Sequence, residues 1–148
     1  MSIVIVDYGL GNIGSIMNMF NHLGKDVVFS SNHEVISTAT KLVLPGVGAY
    51  DSGMKHLNES GIVPLVLDKV KNEKTPLLGI CLGMQLLLQG SEEGQLPGLG
   101  LIPGFCRKFS PSELKLKVPH MGWNEVLARD SSSLFESIDK NPRFYFVH

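Results

Sequence analysis

The stretch 75–89, TPLLGICLGMQLLLQ, limits the fold of this chain more than any other segment. A short apolar run leads into a G-x-C-x-G pattern at residues 79–83, and an apolar run of helical character follows at 84–88. A strand that turns at once into a helix strains the turn residue, and small residues two positions to either side relieve the crowding. The pattern therefore predicts a nucleophile elbow like that of serine hydrolases, with the sulfur of Cys81 in place of oxygen.

The predicted position of Cys81 suits a reactive thiol. At a helix N-terminus, the backbone dipole and free N–H groups favour the thiolate. The alternative is an inert cysteine at the end of a buried strand, because free cysteine is among the most buried residue types. The flanking glycines favour the nucleophile, and Cys106, which lies in an ordinary predicted strand, is expected to react more slowly.

Length and composition indicate a single globular domain. The chain has 148 residues, 43% of them hydrophobic and 18% charged, which is enough for a sizeable core. The net charge of -1 gives no electrostatic attraction to nucleic acid or to an anionic membrane. Two cysteines make no disulfide framework, no signal peptide precedes the first strand, and the apolar runs are too short to span a bilayer. We therefore expect a soluble, cytoplasmic protein.

Strand and helix signals alternate over the first part of the chain. Short apolar strands are predicted at 3–6, 26–30, 42–44 and 76–80, and helices at 13–23 and 49–73, the second broken near residues 60–61. This alternation is typical of a parallel sheet covered by helices on both faces.

The pattern changes after Gln89. Residues 90–104 predict a long loop with at most a brief strand, and 105–109 and 123–127 predict strands of a hairpin-like section. A short helix capped by the serines at 131–133 and a last strand at 143–148 complete the expected elements.

Residues 9–14, GLGNIG, match the G-x-G-x-x-G fingerprint of dinucleotide sites, after a strand and before a helix. Such a site needs an acid about 20 residues further on, at the end of the second strand. That strand ends in Phe29 and Ser30, while Asp26 and Glu34 lie before and beyond it. The motif therefore favours a tight turn that approaches a ligand or partner closely, with nucleotide binding as the alternative.

Residues 45–48, PGVG, follow the third predicted strand as Cys81 follows the fourth. The carboxyl ends of parallel strands face one crevice, so both segments should border the same site. The N–H groups of Val47 and Leu82 could then stabilise an oxyanion formed at Cys81. The alternative is that PGVG is only a turn.

Several segments together resemble a known family. GICLGMQLL, PGVGAYDSGM and DYGLGNIGS resemble class I, triad-type, glutamine amidotransferases. VPHMGWNEV and FYFVH resemble one branch of that family, the glutaminase subunit of imidazole glycerol phosphate synthase in histidine biosynthesis. The resemblance covers essentially the whole chain, with its motifs in the order of the family.

The resemblance implies a flavodoxin-like α/β fold, with a mostly parallel sheet, helices on both faces and an added antiparallel section. It implies that Cys81 attacks the side-chain amide of glutamine to form a thioester, without metal or cofactor. The residues implied for the oxyanion hole are Val47 and Leu82, and those for substrate binding are Gly46, Gly48, Gln85 and Glu93. Glu93 would receive the α-amino group of glutamine; the alternative for Glu93 is a solvated loop acid.

The resemblance also implies a partner, a (β/α)8 cyclase subunit that receives ammonia within a heterodimer and makes imidazole glycerol phosphate and AICAR. The residues implied at that interface are Asn12, Met121, Trp123, Asn124 and Tyr145. Trp123 alone would more often be a core residue, so its interface role depends on the resemblance.

The chain departs from the family pattern at the catalytic base. The family supplies a histidine and an acid in a His-x-Glu segment, which nothing in this sequence matches; the histidines here are His22, His33, His56, His120 and His148. We therefore expect a single glutamine amidotransferase domain over 1–148 that lacks its C-terminal part and is inactive alone. Three alternatives stay open: a glutaminase of another synthase, such as that of anthranilate or pyridoxal phosphate synthesis, a nucleotide-binding module, and a catalytically silent partner-binding protein.

Overall fold

The computed structural model describes residues 2–110, 117–127, 135, 136, 138 and 141–148. The chain divides into two compact units, Met1–Lys108 and Phe109–His148. The predicted helix after 131–133 falls largely outside the described residues. No helix in the described part of the chain is both long enough and apolar enough to cross a membrane.

The first unit contains a four-stranded parallel sheet. Its strands are β1 (Ile3–Val6), β2 (Val27–Ser30), β3 (Lys41–Leu44) and β4 (Leu77–Gly79), in the order β2-β1-β3-β4. The first crossover leads away from β1 in one direction and the later ones lead in the other, so right-handed connections place helices on opposite faces of the sheet. The order reverses between β1 and β3, and a crevice for ligands forms at such a point, outside the carboxyl ends of the strands.

Four helices connect these strands and a fifth follows β4 in the described part of the chain: α1 (Ile13–His22), α2 (His33–Ser37), α3 (Tyr50–Glu59), α4 (Val63–Lys71) and α5 (Leu82–Leu86). The predicted break between α3 and α4 is confirmed. Asn32 caps α2, because its side-chain oxygen accepts from the N–H groups of Glu34 and Val35. The elbow helix α5 begins directly after Cys81, so it starts and ends two residues before the predicted helical run at 84–88.

The core of the first unit lies between sheet and helices. The fully buried side chains include those of Val4, Val6, Leu42, Leu44, Tyr50, Leu57, Leu82 and Leu86. Buried Lys69 joins two helices, because its Nζ lies 2.7 Å from the Ser37 carbonyl oxygen and 2.6 Å from Glu73 Oε2. Burying a charge this way requires such partners.

The segment after α5 differs from the prediction. Strand β6 has only two residues, Phe105–Cys106, and pairs in parallel with β5 (Gly90–Ser91), so the expected strand at 105–109 is not part of a hairpin. The loop between them folds back onto α5, because Leu99 and Leu101 donate to carbonyl oxygens of Leu86 and Leu87 at 2.8 Å. These long-range hydrogen bonds place β6 beside β5.

The second unit contains an antiparallel pair, β7 (Met121–Glu125) and β8 (Arg143–Val147). Strand β7 begins two residues before the predicted strand at 123–127. Trp123 pairs with Tyr145 across the ladder, and beyond it His120 and His148 exchange backbone hydrogen bonds.

Candidate active site

Cys81 occupies a strained elbow between β4 and α5. Its φ of 54° and ψ of -119° lie in a region that costs a non-glycine residue about 1–3 kcal/mol. The N–H of Ile80 donates to the Leu44 carbonyl at 3.0 Å, and that of Met84 to the Cys81 carbonyl at 3.0 Å, so strand pairing gives way to helix within one residue. The side chain of Cys81 is exposed. The predicted turn geometry is confirmed.

The two elbow glycines are required by close backbone packing. A Cβ on Gly79 would lie 2.6 Å from Cα and 2.7 Å from N of Met84. A Cβ on Gly83 would overlap the Leu44 carbonyl oxygen. Neither glycine has a positive φ, so the missing side chain, rather than backbone freedom, is what the elbow needs.

The loop 45–48 lies directly against the elbow. A Cβ on Gly46 would come within 2.8 Å of the Gly83 nitrogen and 2.9 Å of Leu82 Cβ. The N–H groups of Val47 and Leu82 have no acceptor within the described residues. Gly48 has a φ of +96°, and a Cβ added to it would meet no atom within 4 Å. The Val47 side chain is exposed. Two free backbone donors thus border the sulfur-bearing turn.

The turn between β1 and α1 approaches the same loop. A Cβ on Gly11 (φ +135°) would lie 3.1 Å from Pro45 Cβ, and Gly9 also has a positive φ, +88°. The first two glycines of GLGNIG therefore serve tight turning, and Gly11 also serves close packing on Pro45. Asn12 caps α1 by accepting from the Ser15 N–H at 3.4 Å, and its side chain is exposed.

A cavity of about 430 Å³ opens beside α5 and the β5–β6 pair. Gln85 and Glu93, two of the predicted substrate-binding residues, line this cavity. Cys81 lies one helical turn before Gln85 and is not among the lining residues. The other lining residues are Ser91, Glu92, Cys106, Arg107 and Lys108.

The two acids of this cavity have different surroundings. Glu92 Oε2 accepts from the Lys108 N–H at 2.9 Å, which engages that carboxylate in the loop structure. The Glu93 carboxylate has no hydrogen-bond partner among the described residues. Burial, and secondly the charge of Glu93, raise the pKa of the Cys106 thiol. Glu93 is therefore the acid available to a ligand.

Sequence reasoning missed Arg107 and Lys108 as lining residues. The predicted strand at 105–109 included both residues, whereas the observed β6 ends at Cys106, so Arg107 and Lys108 directly follow it. Their contribution makes the cavity mixed in charge, with two acids and two bases, which suits a zwitterionic ligand.

No hydrogen bond joins Cys81 to a histidine within the described residues. His22, His33 and His56 are exposed in the first unit. In the second unit, His120 Nδ1 lies 2.9 Å from His148 Nε2, and Asn124 Nδ2 lies 2.6 Å from His120 Nε2. The side chain of Asn124, a predicted interface residue, is thus engaged within its own unit.

The remaining predicted interface residues lie on the β7–β8 pair. The rings of Trp123 and Tyr145 meet edge to face with centroids 5.6 Å apart, and they are 60% and 54% exposed. Met121, also exposed, lies two residues before Trp123 on the same strand face. Trp123 is therefore not a core residue of its unit.

Comparison with known proteins extends these observations. Residues 4–148 match the family model "Glutamine amidotransferase class-I", and the chain therefore belongs to that family. A solved structure, "Crystal structure of glutamine amidotransferase", superposes with a TM-score of 0.70 at 17% identity, covering 98% of this chain and 70% of that one, which supports the fold. The flavodoxin-like architecture with an added antiparallel sheet is thus confirmed.

Within the class, the similar proteins are subunits of one synthase. The chain is 53% identical over 146 residues to "Imidazole glycerol phosphate synthase subunit HisH 2" of Methanococcus maripaludis, covering 99% of this chain and 72% of that protein. It is 47% identical to the HisH subunit of Bdellovibrio bacteriovorus, again covering 99% and 72%. The particular branch to which the chain is assigned is therefore that of the HisH subunits.

Proposed function

We propose that this chain carries the nucleophile and the glutamine site of a glutaminase that serves imidazole glycerol phosphate synthase. The observation that carries the proposal is the strained, exposed Cys81 beside the free N–H groups of Val47 and Leu82. Strain of this kind persists where the surrounding structure enforces it, as at a nucleophile elbow. Family membership supplies the reaction class.

The proposed reaction has two stages. The Cys81 thiolate forms a C–S bond to the amide carbon of glutamine, and the C=O electron pair moves to oxygen, where the Val47 and Leu82 N–H groups stabilise the charge. The intermediate expels the amide nitrogen, which takes up a proton and leaves as ammonia. Water then hydrolyses the γ-glutamyl thioester to glutamate and restores the thiol.

The proposed substrate contacts lie on either side of the elbow. Gln85 and Glu93 line the cavity of about 430 Å³, and a free carboxylate such as that of Glu93 matches the α-ammonium group of glutamine. Gly46 would contribute by letting the loop pack closely on the elbow, and Gly48, where an added Cβ meets no atom within 4 Å, by letting the loop approach the side-chain amide.

The proposed partner is a (β/α)8 cyclase subunit that uses the ammonia to make imidazole glycerol phosphate and AICAR. The exposed apolar side chains of Met121, Trp123 and Tyr145 support an interface on the second unit, to which Asn124 would contribute. Asn12 is proposed as a separate partner contact on the first unit. Both cysteines are free thiols, which supports a reducing, cytoplasmic setting.

A glutamine-like diazoketone tests the glutaminase proposal directly, because it alkylates a nucleophile that binds the glutamine side chain. We expect mass spectrometry to find the label on Cys81, and excess glutamine to prevent labelling. Excess asparagine, shorter by one methylene group, serves as the matched control and should protect far less. Labelling that glutamine does not prevent would contradict the proposal.

A further inference from the structure

The turn that follows β1 holds a buried tyrosine whose hydroxyl reaches the loop beside the elbow. The Tyr8 side chain is 4% exposed, and its hydroxyl donates to the Pro45 carbonyl oxygen at 2.5 Å. These residues are 37 positions apart and follow adjacent strands, β1 and β3. The hydrogen bond therefore joins two strand ends across the point where the sheet order reverses.

The Pro45 carbonyl is held from a second direction as well. A Cβ on Gly83 would lie 2.9 Å from the Pro45 oxygen, so this carbonyl packs against the elbow helix. A Cβ on Gly46 would lie 2.6 Å from the Tyr8 oxygen, so the hydroxyl also borders the next residue of the loop. The Pro45 carbonyl sets the orientation of the peptide group between Pro45 and Gly46, and the next peptide group carries the Val47 N–H.

We propose that Tyr8 is a positioning residue that holds the loop 45–48 with the Val47 N–H directed to the oxyanion formed at Cys81. The inference rests on the proposed glutaminase function. Tyr8 touches neither substrate nor reacting atoms in this role; it acts by fixing the Pro45 carbonyl. Without its hydroxyl, the loop keeps its packing but loses the hydrogen bond that selects one peptide orientation.

The chemical state of Tyr8 suits this role. Burial, and secondly the nearby negative charge of Cys81, raise the pKa of Tyr8 to about 12. The hydroxyl therefore stays protonated, and remains a donor, throughout the physiological pH range. Tyr8 is the one hydrogen-bond donor to the Pro45 carbonyl among the described residues, and a buried carbonyl that loses its donor is destabilised.

A second buried tyrosine supplies a matched control. Tyr50, at the start of α3, is fully buried, and its hydroxyl has no hydrogen-bond partner among the described residues. That hydroxyl lies beside Gly98 rather than the loop 45–48, so its removal tests the loss of a buried oxygen in the same unit without the loss of a contact to that loop. Tyr8→Phe and Tyr50→Phe thus differ in the contact that the inference invokes.

The experiment compares two alkylating reagents on the chain and on both variants. The glutamine-like diazoketone places a carbonyl where the oxyanion donors act, whereas iodoacetamide reacts with the thiol alone. For Tyr8→Phe we expect the maximal rate of Cys81 labelling by the diazoketone to fall by about tenfold, with the half-saturating concentration unchanged. Iodoacetamide labelling in the same sample should stay within about twofold of wild type and corrects for any unfolded fraction. Tyr50→Phe should match wild type with both reagents.

Three results would overturn the inference. Diazoketone labelling of Tyr8→Phe at the wild-type maximal rate would show that the hydrogen bond does not position the donor. An equal slowing with iodoacetamide would assign Tyr8 to the integrity of the elbow, as would an equal effect in Tyr50→Phe. A failure of the glutaminase proposal would give a different result. In that case the diazoketone would either not label Cys81 of the wild-type chain, or label it equally with and without excess glutamine.

Discussion

At the scale of single residues, the two thiols have contrasting environments. Cys81 is exposed on the elbow turn, whereas Cys106 is partly buried in the wall of a cavity that Glu93 also lines. Burial and the adjacent carboxylate both oppose the thiolate form of Cys106. Nucleophilic reactivity follows the thiolate fraction and accessibility.

We predict that iodoacetamide at pH 7 alkylates Cys81 at least about tenfold faster than Cys106. The raised pKa of Cys106 means that its rate continues to climb as the pH rises above the ordinary thiol range. Peptide-resolved mass spectrometry over a pH series measures both rates in one sample. Faster labelling of Cys106 at pH 7 would contradict the assignment of the nucleophile.

We predict that Gly83→Ala lowers the free energy of unfolding by about 1–3 kcal/mol, because the added Cβ meets the Leu44 carbonyl. Gly14→Ala is the matched control, since Gly14 also lies in a helix and a Cβ there meets no atom within 4 Å. That control should be neutral or stabilising by up to about 1 kcal/mol. Urea unfolding measures the free energy of unfolding of both variants. Equal values would contradict the close packing of Gly83 against the Leu44 carbonyl.

At the scale of elements, the segment that carries Glu93 is held by a carboxylate on α3. Asp51 Oδ1 accepts from the N–H groups of Gln95 at 2.9 Å and Leu96 at 3.0 Å. These hydrogen bonds, the Leu96 bond first, lower the pKa of Asp51. The first turn of α3 thus supports one wall of the cavity.

We predict that Asp51→Ala weakens protection of Cys81 by glutamine, because the loop that presents Glu93 loses its anchor. The pKa of Asp51 is lower in the folded chain than in the unfolded chain. Its carboxylate therefore stabilises the fold above about pH 4, and this stabilisation is lost as the pH falls through the folded-state pKa. The difference in melting temperature between wild type and Asp51→Ala should therefore shrink in acid. Asp68→Ala, which changes an exposed residue of α4, is the control, and an equal loss of protection there would refute this anchoring role.

The elements of the first unit were largely predictable because each strand is a short apolar run and most of the connecting turns carry glycine or proline. The pairing of β6 with β5 was not, since two-residue strands show no period and their partner is set by backbone bonds from Leu99 and Leu101 to α5. Cys81 and the loop 45–48 were visible as motifs. Tyr8 was not, because a hydrogen bond across 37 residues leaves no local pattern.

At the scale of the whole molecule, the nucleophile and the exposed aromatic pair belong to different compact units. Each unit can therefore be tested by its own measurement. Reactivity at Cys81 tests the first unit, and association with the proposed cyclase partner tests the exposed aromatic pair of the second.

We predict that Trp123→Ala weakens association with the cyclase by about 2 kcal/mol while leaving the melting temperature nearly unchanged. The reason is that Trp123 is 60% exposed, so its truncation removes little buried contact within the unit. Leu127→Ala, which removes a 75% exposed apolar side chain beyond the same strand, is the matched control. A large fall in melting temperature with unchanged affinity per folded molecule would instead make Trp123 a structural residue.

We predict that the 148-residue chain releases ammonia from glutamine negligibly, even with excess cyclase. Its five histidines include none hydrogen-bonded to Cys81 among the described residues, and loss of a catalytic base commonly removes several orders of magnitude in rate. Coupled detection of ammonia measures turnover. Rapid turnover would make a histidine of this chain the base, and His120→Ala and His148→Ala would then identify it.

The packing of Gly46, Gly79 and Gly83 against neighbouring backbone also bears on how this protein can evolve or be engineered. A side chain at any of the three would come within 3 Å of main-chain atoms, which cannot rotate away. Libraries that diversify these positions would consist mostly of misfolded members. The cavity wall at Arg107 and Lys108 carries no such restriction, because exposed side chains there can change without moving the backbone. Altered amide specificity should therefore be sought on that wall, with the elbow held constant.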